Sequence, residues 1–249
     1  MVPRVALVLG AAPAGLRRML LESIAQPYAS EGRRVLLLES DPHADDGIEI
    51  LQEVYGLDLP IMRRSLGASP RDVLLLPAAE RRSLFARLAA DEGRSDLVLI
   101  DLGLPESILC PRLQFLVDTL VVALTSDESS LYEAYRALRG LSERRPGLGP
   151  FVVSLAQSAE EGELLFDRFR QISKDFLNVP VVDGGWLELR EGSSRDTAPA
   201  PFSASLSDEL VEVLASVPPR GLSQDTFLGN RDRPFFDHLC EWLDPFLQS

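Results

Sequence analysis

The amino-acid sequence predicts an α/β fold in which a doubly wound, mostly parallel sheet carries helices on both faces. Apolar runs with almost no polar alternation recur at residues 5–9, 34–39 and 96–101. Such runs are typical of parallel strands that are buried on both faces. Segments with apolar side chains at helical spacing lie between these runs. Strands and helices therefore alternate along the chain, as in folds built from βαβ units.

The composition fits one large domain with a substantial core, because the 249 residues are 45% hydrophobic and 25% charged. The 25 Lys and Arg residues oppose 38 Asp and Glu residues, and the net charge of −13 argues against a nucleic-acid-binding surface. Cys110 and Cys240 lie far apart without metal-type spacing, so we expect two unpaired thiols and no metal site. The chain shows neither a secretion signal nor an apolar run of membrane-spanning length, and we expect a cytoplasmic protein.

Each predicted element follows from its own pattern of apolar residues. The first half is predicted as a strand at 5–9, a helix at 16–31, a strand at 34–39, a short helix at 48–55, an irregular connection at 56–71, a strand at 73–77 and a helix at 81–90. The second half is predicted as strands at 96–101, 119–125, 151–155 and 179–182, helices at 130–141, 161–177 and 206–215, and a loop at 191–205. Three parts are predicted, namely an α/β domain at 1–216, a tether at 217–234 and a C-terminal amphipathic helix at 235–249.

Residues 5–18 have the layout of a phosphate-binding loop, with a buried strand, a turn of small residues and then a helix. A working loop of this kind ends in Gly-Lys-Ser/Thr, because the ammonium neutralises phosphate charge and the hydroxyl holds Mg²⁺. Here Leu16 supplies no charge, Arg17 supplies no hydroxyl, and Pro13 lacks the N–H that a phosphate cradle would use. The sequence therefore predicts the scaffold of the loop without its catalytic side chains.

Three blocks of the chain resemble the MinD/ParA group of P-loop ATPases, and its FlhG (FleN)-like branch in particular, over residues 3–216. Residues 34–42 end in Glu39-Ser40-Asp41-Pro42, similar to the family's strand ending in Asp-x-Asp-Pro. Residues 96–103 resemble its second acidic strand, which ends here at Asp101. Residues 125–135 are similar to the family's Thr-Pro-Glu-Pro-Thr-Ser-Ile-x-Asp-Ala-Tyr block, and this is the most specific match. The resemblance implies the same P-loop fold.

The resemblance also implies a site for ATP and Mg²⁺, at which this sequence departs from the family. The implied loop positions are Gly10, Ala11, Gly15, Leu16, Arg17 and Arg18; the implied acids are Glu39, Asp41 and Asp101; and the implied base-reading position is Ser154. The family's two lysines fall at Ala11 and Leu16, and its two threonines at Arg17 and Arg18. The Asn that reads the adenine edge is replaced by Ser154. Because phosphate charge, metal ligand and base contact are weakened together, we expect that ATP hydrolysis is lost.

Two interpretations stay open for the loop and for the acids. The loop either keeps residual nucleotide binding through its backbone amides or only joins a strand to a helix. The acids either activate water and bind Mg²⁺ or form an inherited pocket that arginines neutralise. We favour the second interpretation in both cases, with no cofactor and no metal; ATP or ADP with Mg²⁺ is the alternative. It follows that Arg17 or Arg18 should pair with Glu39, Asp41 or Asp101, since unpaired carboxylates would repel one another.

The C-terminal helix is predicted to carry a stripe of large apolar side chains, which would be exposed if the helix stood alone. The stripe that we expect to bind a partner consists of Phe235, Leu239, Trp242, Leu243 and Phe246. In MinD-like proteins a C-terminal amphipathic helix binds membrane, and the resemblance implies the same role for this helix. Residues 235–249 contain no Lys or Arg, however, and an acidic face disfavours an anionic bilayer. We therefore expect the segment to dock in an apolar groove, on its own domain or on a partner.

The predicted function is that of a pseudo-ATPase, a regulatory or scaffolding relative of the MinD/FlhG proteins in the spatial organisation of a bacterial surface or motility machine. The alternative is an atypical ATPase that binds and hydrolyses ATP and switches between monomer and dimer. The expected partner is a protein, such as another P-loop GTPase or ATPase, a polar scaffold or a second copy of the chain. Nucleic acid is not expected as a partner, and membrane binding is disfavoured.

Overall fold

A computed structural model describes residues 3–10, 12–39, 61–65, 76–101, 117–142, 149–189, 204–215, 235–237 and 239 of the 249-residue chain. The strands are β1 (Arg4–Leu9), β2 (Val35–Glu39), β3 (Ile61–Ser65), β4 (Leu97–Asp101), β5 (Thr119–Leu124), β6 (Phe151–Ala156), β7 (Val182–Glu188) and β8 (Ala204–Leu206). The helices are α1 (Ala14–Ser30), α2 (Ala78–Glu92), α3 (Glu128–Ser142), α4 (Ala159–Leu177) and α5 (Asp208–Ala215). No helix in these ranges is long and apolar enough to cross a membrane.

The eight strands form one sheet in the order β3-β2-β4-β1-β5-β6-β7-β8. The pairings from β3 to β7 are parallel, and only β8 runs antiparallel, against β7. Every residue of β1, β2, β4, β5 and β6 is buried, as expected for strands covered on both faces. The predicted doubly wound, mostly parallel fold is confirmed.

Two apolar layers sandwich the sheet. On one face, α1 and α5 pack through side chains such as Leu20, Ile24 and Leu210. On the other face, α2, α3 and α4 pack through side chains such as Phe85 and Phe169. Alternate residues of each central strand contribute to the two layers, which explains why the strands show no polar alternation in the sequence.

One prediction about the first half of the chain is wrong. The predicted irregular connection at 56–71 contains β3, an edge strand whose two arginines hide it in the sequence. Of the strand predicted at 73–77, Leu76 and Pro77 lie before α2 and are not in a strand, and residues 73–75 lie outside the described residues. The short helix predicted at 48–55 also lies outside them.

The other edge of the sheet differs from the prediction as well. The strand expected at 179–182 begins only at Val182 and continues to Glu188, through Gly184 and Gly185. The predicted loop at 191–205 includes the start of β8. Gly185 has φ +92 and lies against the β8 backbone, so the close pairing requires glycine there. Glycines inside a strand concealed it, because they lower its apparent strand propensity.

Candidate functional site

The predicted site lies where β1, β2 and β4 end, at the edge of the sheet formed by their carboxyl ends. Glu39 and Asp101 are the last residues of β2 and β4 and are direct cross-strand partners. Val8 of β1 pairs with Asp101 from the other side. The loop after β1 leads into α1 above these acids. In open α/β sheets, ligands bind outside the carboxyl ends of the strands, so this edge is the candidate site.

The two loop glycines that the structure describes have different surroundings. A Cβ at Gly10 would lie 2.6 Å from the carbonyl oxygen of Ala123 in β5, so glycine is required there by packing alone. A Cβ at Gly15 would meet nothing within 4 Å, and Gly15 is exposed in the first turn of α1. Ala11 lies outside the described residues. Gly10 therefore has a structural reason that needs no phosphate.

Helix α1 begins without a side-chain cap. Pro13 precedes it, and its carbonyl oxygen accepts the N–H groups of Leu16 at 2.9 Å and Arg17 at 3.1 Å. Leu16 is half-buried. Arg18 is exposed and pairs with Glu22 one turn further along, at 3.4 Å. Leu16, at the position of the family's second lysine, therefore presents no charged group to a phosphate.

Arg17 is buried and binds Asp101. Its Nε–H is shared between the two carboxylate oxygens, at 2.9 Å to Oδ1 and 3.0 Å to Oδ2. Its Nη1 donates to the carbonyl oxygen of Ala12 in the same loop. The guanidinium thus joins the loop to the end of β4, in the space between them. The prediction that Arg17 or Arg18 pairs with one of the acids is confirmed for Arg17 and Asp101.

Glu39 is neutralised by an arginine that the sequence analysis did not single out. Arg63 of β3 donates from Nε to Oε2 of Glu39 at 3.0 Å, and its Nη2 contacts the same oxygen. Both side chains are buried. The next residue, Arg64, binds Asp91 of α2 at 2.7 Å. The sequence held one signal for these pairs, namely two adjacent arginines directly after Ile61 and Met62. Two arginines in a strand can be buried only if each has a carboxylate partner.

The chemistry of this edge is that of paired charges rather than of metal binding. Both described acids are engaged by guanidinium groups, and Mg²⁺ prefers carboxylate and phosphate oxygens that it can coordinate directly. Among the residues that the structure describes, no three His, Cys, Asp or Glu side chains are arranged to hold a metal ion. Asp41, the third predicted acid, lies outside that part of the chain. The described residues do not fit a Mg²⁺–ATP site.

The predicted base-reading position is closed. Ser154 in β6 is 1% exposed, and its hydroxyl has no hydrogen-bond partner among the described residues. Its cross-strand neighbour is Trp186 of β7. Gly162, in the first turn of α4, packs so closely that an added Cβ would lie 3.0 Å from the Trp186 Cβ. Leu187, the next residue of β7, is fully buried. Ser154 is therefore covered by neighbouring residues of β7 and α4, and its side chain is not exposed to a base.

The predicted partner-binding stripe is placed only in part. Phe235 and Leu239 are buried against the α2 side of the chain's own domain, at 7% and 3% exposure. The segment was predicted to dock on its own domain or on a partner, and these two residues dock on their own domain. Trp242, Leu243 and Phe246 lie outside the described residues.

No protein-family model matches the chain, and no curated protein matches its sequence. Solved structures do match. A ParA family ATPase from Chlorobium tepidum is 15% identical over 76% of this chain and 85% of its own, with a TM-score of 0.53. A putative plasmid partition protein from Borrelia burgdorferi, bound to AMPPNP, is 11% identical over 86% and 97%, with a TM-score of 0.53. MinD from Aquifex aeolicus, in complex with MinC, is 15% identical over 76% and 82%, with a TM-score of 0.50.

The sheet order, the loop after β1 and these similarities define the class of the fold, an α/β fold of the P-loop NTPase type. Within that class it is the fold of the MinD and ParA proteins. At 11–15% identity the similarity concerns the fold alone. The chemistry of this chain depends on its own side chains.

Proposed function

We propose that this chain is a catalytically degenerate MinD/FlhG-like protein, a cytoplasmic pseudo-ATPase that acts as a regulatory or scaffolding partner. The observation that carries the proposal is the buried pair of Arg17 and Asp101, with Arg17 also bound to the carbonyl of Ala12. Phosphoryl transfer needs a metal ion and a cation free to neutralise the developing charge on phosphate. Here the cation and the acid are bound to each other.

The cost of opening this pair supports the loss of ATP hydrolysis. Separating a buried arginine from its carboxylate costs about 3–5 kcal/mol, because it leaves an uncompensated charge in a medium of low polarity. Mg²⁺ would have to displace Arg17 from Asp101, and the metal's usual hydroxyl ligand would still be absent. The second buried pair, Arg63 with Glu39, opposes metal binding in the same way. These effects act together on one edge of the sheet.

A protein partner is the second part of the proposal. The MinD structure from Aquifex aeolicus is a complex with MinC, so this fold is compatible with a protein partner. By the sequence resemblance, the candidates are another P-loop GTPase or ATPase, a polar scaffold or a second copy of the chain. The process served would be the placement of a bacterial surface or motility machine such as the flagellum. Trp242, Leu243 and Phe246 are the side chains that we propose for the contact.

Phosphate release from Mg-ATP tests the catalytic part of the proposal. We expect no turnover by the purified, nucleotide-stripped chain. The double variant Leu16→Lys/Arg17→Thr restores two of the family's residues in the loop, and it should also be inactive, because Ala11 and Pro13 remain in the loop and Ser154 stays covered. Turnover by the wild type that disappears in Asp101→Asn would overturn the proposal. Turnover by the double variant alone would show that the rest of the site had stayed functional.

One observation favours the alternative, an atypical ATPase that switches between monomer and dimer. Ala14 and Gly15 are exposed, and α1 begins without a side-chain cap, so the backbone N–H groups of these two residues are available to an anion. Light scattering with and without Mg-ATP distinguishes the two functions. A shift from monomer to dimer that depends on ATP would support the alternative, whereas an unchanged molar mass supports the pseudo-ATPase.

A further inference from the structure

The outer surface of helices α3 and α4 carries exposed apolar side chains. In the part of the chain that the structure describes, the large apolar side chains that are exposed are Tyr132 of α3, at 60%, and Leu164 and Phe176 of α4, at 71% and 72%. The two helices pack side by side on one face of the sheet. Apolar side chains scattered singly over a surface are ordinary, but their concentration on two adjacent helices indicates a contact surface.

The outer face of α4 carries its charges in a definite order. Positions separated alternately by four and three residues fall on one face of a helix. The exposed positions of this kind form the outer stripe of α4, which consists of Glu160, Leu164, Asp167, Gln171 and Lys174. Glu163, also exposed, lies beside the start of the stripe. The stripe is therefore acidic at its beginning, basic at its end and apolar at Leu164.

Helix α3 repeats this order in the same direction. Its corresponding positions are Glu128, Tyr132, Tyr135 and Arg139, an acid first and a base last. Strands β5, β6 and β7 are parallel, and each helix connects one of them to the next. Both helices therefore run opposite to the strands and begin at the carboxyl edge of the sheet. The whole layer is acidic at that edge and basic at the other.

Three charges around the outer stripe of α4 have no counter-charge within the protein. Asp167 binds Arg170 on its own helix at 2.8 Å. Within the described residues, Glu160, Glu163 and Lys174 form no ion pair. Acids at the start of a helix and bases at its end also suit the helix dipole, but the dipole does not account for an exposed leucine between them. These three charges and Leu164 are available to a partner.

We propose that this layer pairs with the same layer of a second copy of the chain, across a two-fold axis that sets the two α4 helices antiparallel. An isologous contact brings a surface against itself. A stripe that is acidic first and basic last is complementary to itself only when the partner helix runs the opposite way. With the axis near the middle of the stripe, Lys174 of each copy lies opposite Glu160 and Glu163 of the other. Leu164 is then covered by the middle of the other copy's helix.

The same axis suits α3. An axis that crosses the helices within the contact plane places α3 on α3 and α4 on α4, each pair antiparallel, so the acidic end of each helix meets a basic end. An axis along the helices would place acidic ends on acidic ends. The order of charges on both helices therefore selects one relative orientation of the two copies.

The size of the layer indicates a reversible dimer. Helices of 15 and 19 residues are about 22 and 28 Å long. With a width of about 10 Å each, they offer on the order of 500 Å² per copy, or about 1,000 Å² in total. This is the low end of the range for specific protein contacts. We therefore expect monomers in dilute solution and dimers at high protein concentration.

The contact requires no nucleotide and involves neither Arg17 nor Asp101. It names a surface for one of the partners proposed above, a second copy of the chain. A chain that stays monomeric would overturn the contact, whereas the loss of ATP hydrolysis is decided by phosphate release. The two proposals can therefore fail separately.

Sedimentation of the full chain over a wide range of concentrations tests the contact. We expect the wild-type mass to rise from monomer to dimer. Lys174→Glu should stay monomeric, because it sets an acid against two acids. Glu212→Lys changes an exposed charge of α5, on the opposite face of the sheet, and should dimerise like the wild type. A wild type that is monomeric throughout, or a Lys174→Glu variant that dimerises equally well, would overturn the proposal.

A charge exchange between two variants tests the orientation. Glu160→Lys/Glu163→Lys should also be monomeric on its own, because its lysines oppose Lys174. Mixed with Lys174→Glu, it should form a heterodimer, since both symmetry-related sites then regain opposite charges. All three side chains are exposed, so the variants keep the fold. A mixture that remains monomeric would contradict the antiparallel arrangement.

Cross-linking locates the contact, because Lys174 is the only lysine of the chain. A carbodiimide joins the lysine amine to a carboxylate through an amide bond and itself takes up the released oxygen as a urea. Lys174 and Glu163 are eleven residues apart on one helix, about 16 Å, so this reagent cannot join them within one copy. In a mixture of isotope-labelled and unlabelled chains, we expect Lys174 of one copy linked to Glu160 or Glu163 of the other. Links between copies that avoid both acids would overturn the proposed pairing.

Discussion

At the scale of single residues, the site depends on which side chain neutralises which acid. Asp101 closes a buried strand, and a carboxylate there needs either a metal ion or a cation from the chain. Arg17 supplies the cation from the first turn of α1, directly above the strand end. Arg63 does the same for Glu39 from the neighbouring strand. Asp101 and Glu39 are thus each held in an internal ion pair.

Removing Arg17 should destabilise the fold far more than removing its neighbour. Arg17→Ala leaves Asp101 buried without its cation, and we expect the free energy of unfolding to fall by about 3–5 kcal/mol. Arg18→Ala is the matched control, since Arg18 is exposed and its pair with Glu22 contributes about 0.3–0.5 kcal/mol. Urea unfolding of the two variants measures the difference. Equal effects would mean that Asp101 does not depend on Arg17.

The sequence allowed one of the two ion pairs to be predicted, and the reason is topological. The order of the βαβ units places the start of α1 at the carboxyl ends of β1 and β4, so Arg17 or Arg18 was expected to meet an acid there. Arg63 was missed because its strand was not recognised as one. The covering of Ser154 was missed too, because it depends on the register between β6 and β7, which brings Trp186 beside it. The register between two strands cannot be determined from the spacing of residues in the sequence.

At the scale of secondary-structure elements, the junction between β1 and α1 contains two glycines with opposite requirements. We expect Gly10→Ala to destabilise the protein, because its Cβ would lie 2.6 Å from a backbone oxygen of β5 that cannot easily move. Gly15→Ala should be neutral or stabilising by about 0.5–1 kcal/mol, since alanine favours helix over glycine and its Cβ meets open space. Thermal unfolding of both variants measures this. Similar losses at the two positions would contradict the described path of the loop.

The elements that could be predicted are those at the centre of the sheet. Strands β1, β4 and β5 are apolar throughout because both of their faces are covered, and that produces a strong signal in the sequence. Strands β3 and β8 lie at the two edges, where polar residues are tolerated. Strand β7 contains two adjacent glycines. These strands were missed or misplaced because their pairing, rather than their composition, makes them strands.

At the scale of the whole molecule, the buried part of the C-terminal segment belongs to the core of the domain. Phe236 is 1% exposed, whereas Phe176 on α4 is 72% exposed and provides a matched control. We expect Phe236→Ala to lower the free energy of unfolding by about 3–5 kcal/mol, and Phe176→Ala to change it by less than about 0.5 kcal/mol. Chemical denaturation checks both values. A small effect at Phe236 would show that the segment contributes little to the stability of the domain.

The most direct test of the account is thermal unfolding of the nucleotide-stripped chain with and without millimolar Mg-ATP. A ligand raises the melting temperature only to the extent that it binds the native state. Because Arg17 holds Asp101, and Ser154 is covered, we predict that Mg-ATP leaves the melting temperature unchanged. A rise of several degrees that disappears when Mg²⁺ is omitted would contradict the account, since it would show that the edge of the sheet still binds the metal–nucleotide complex.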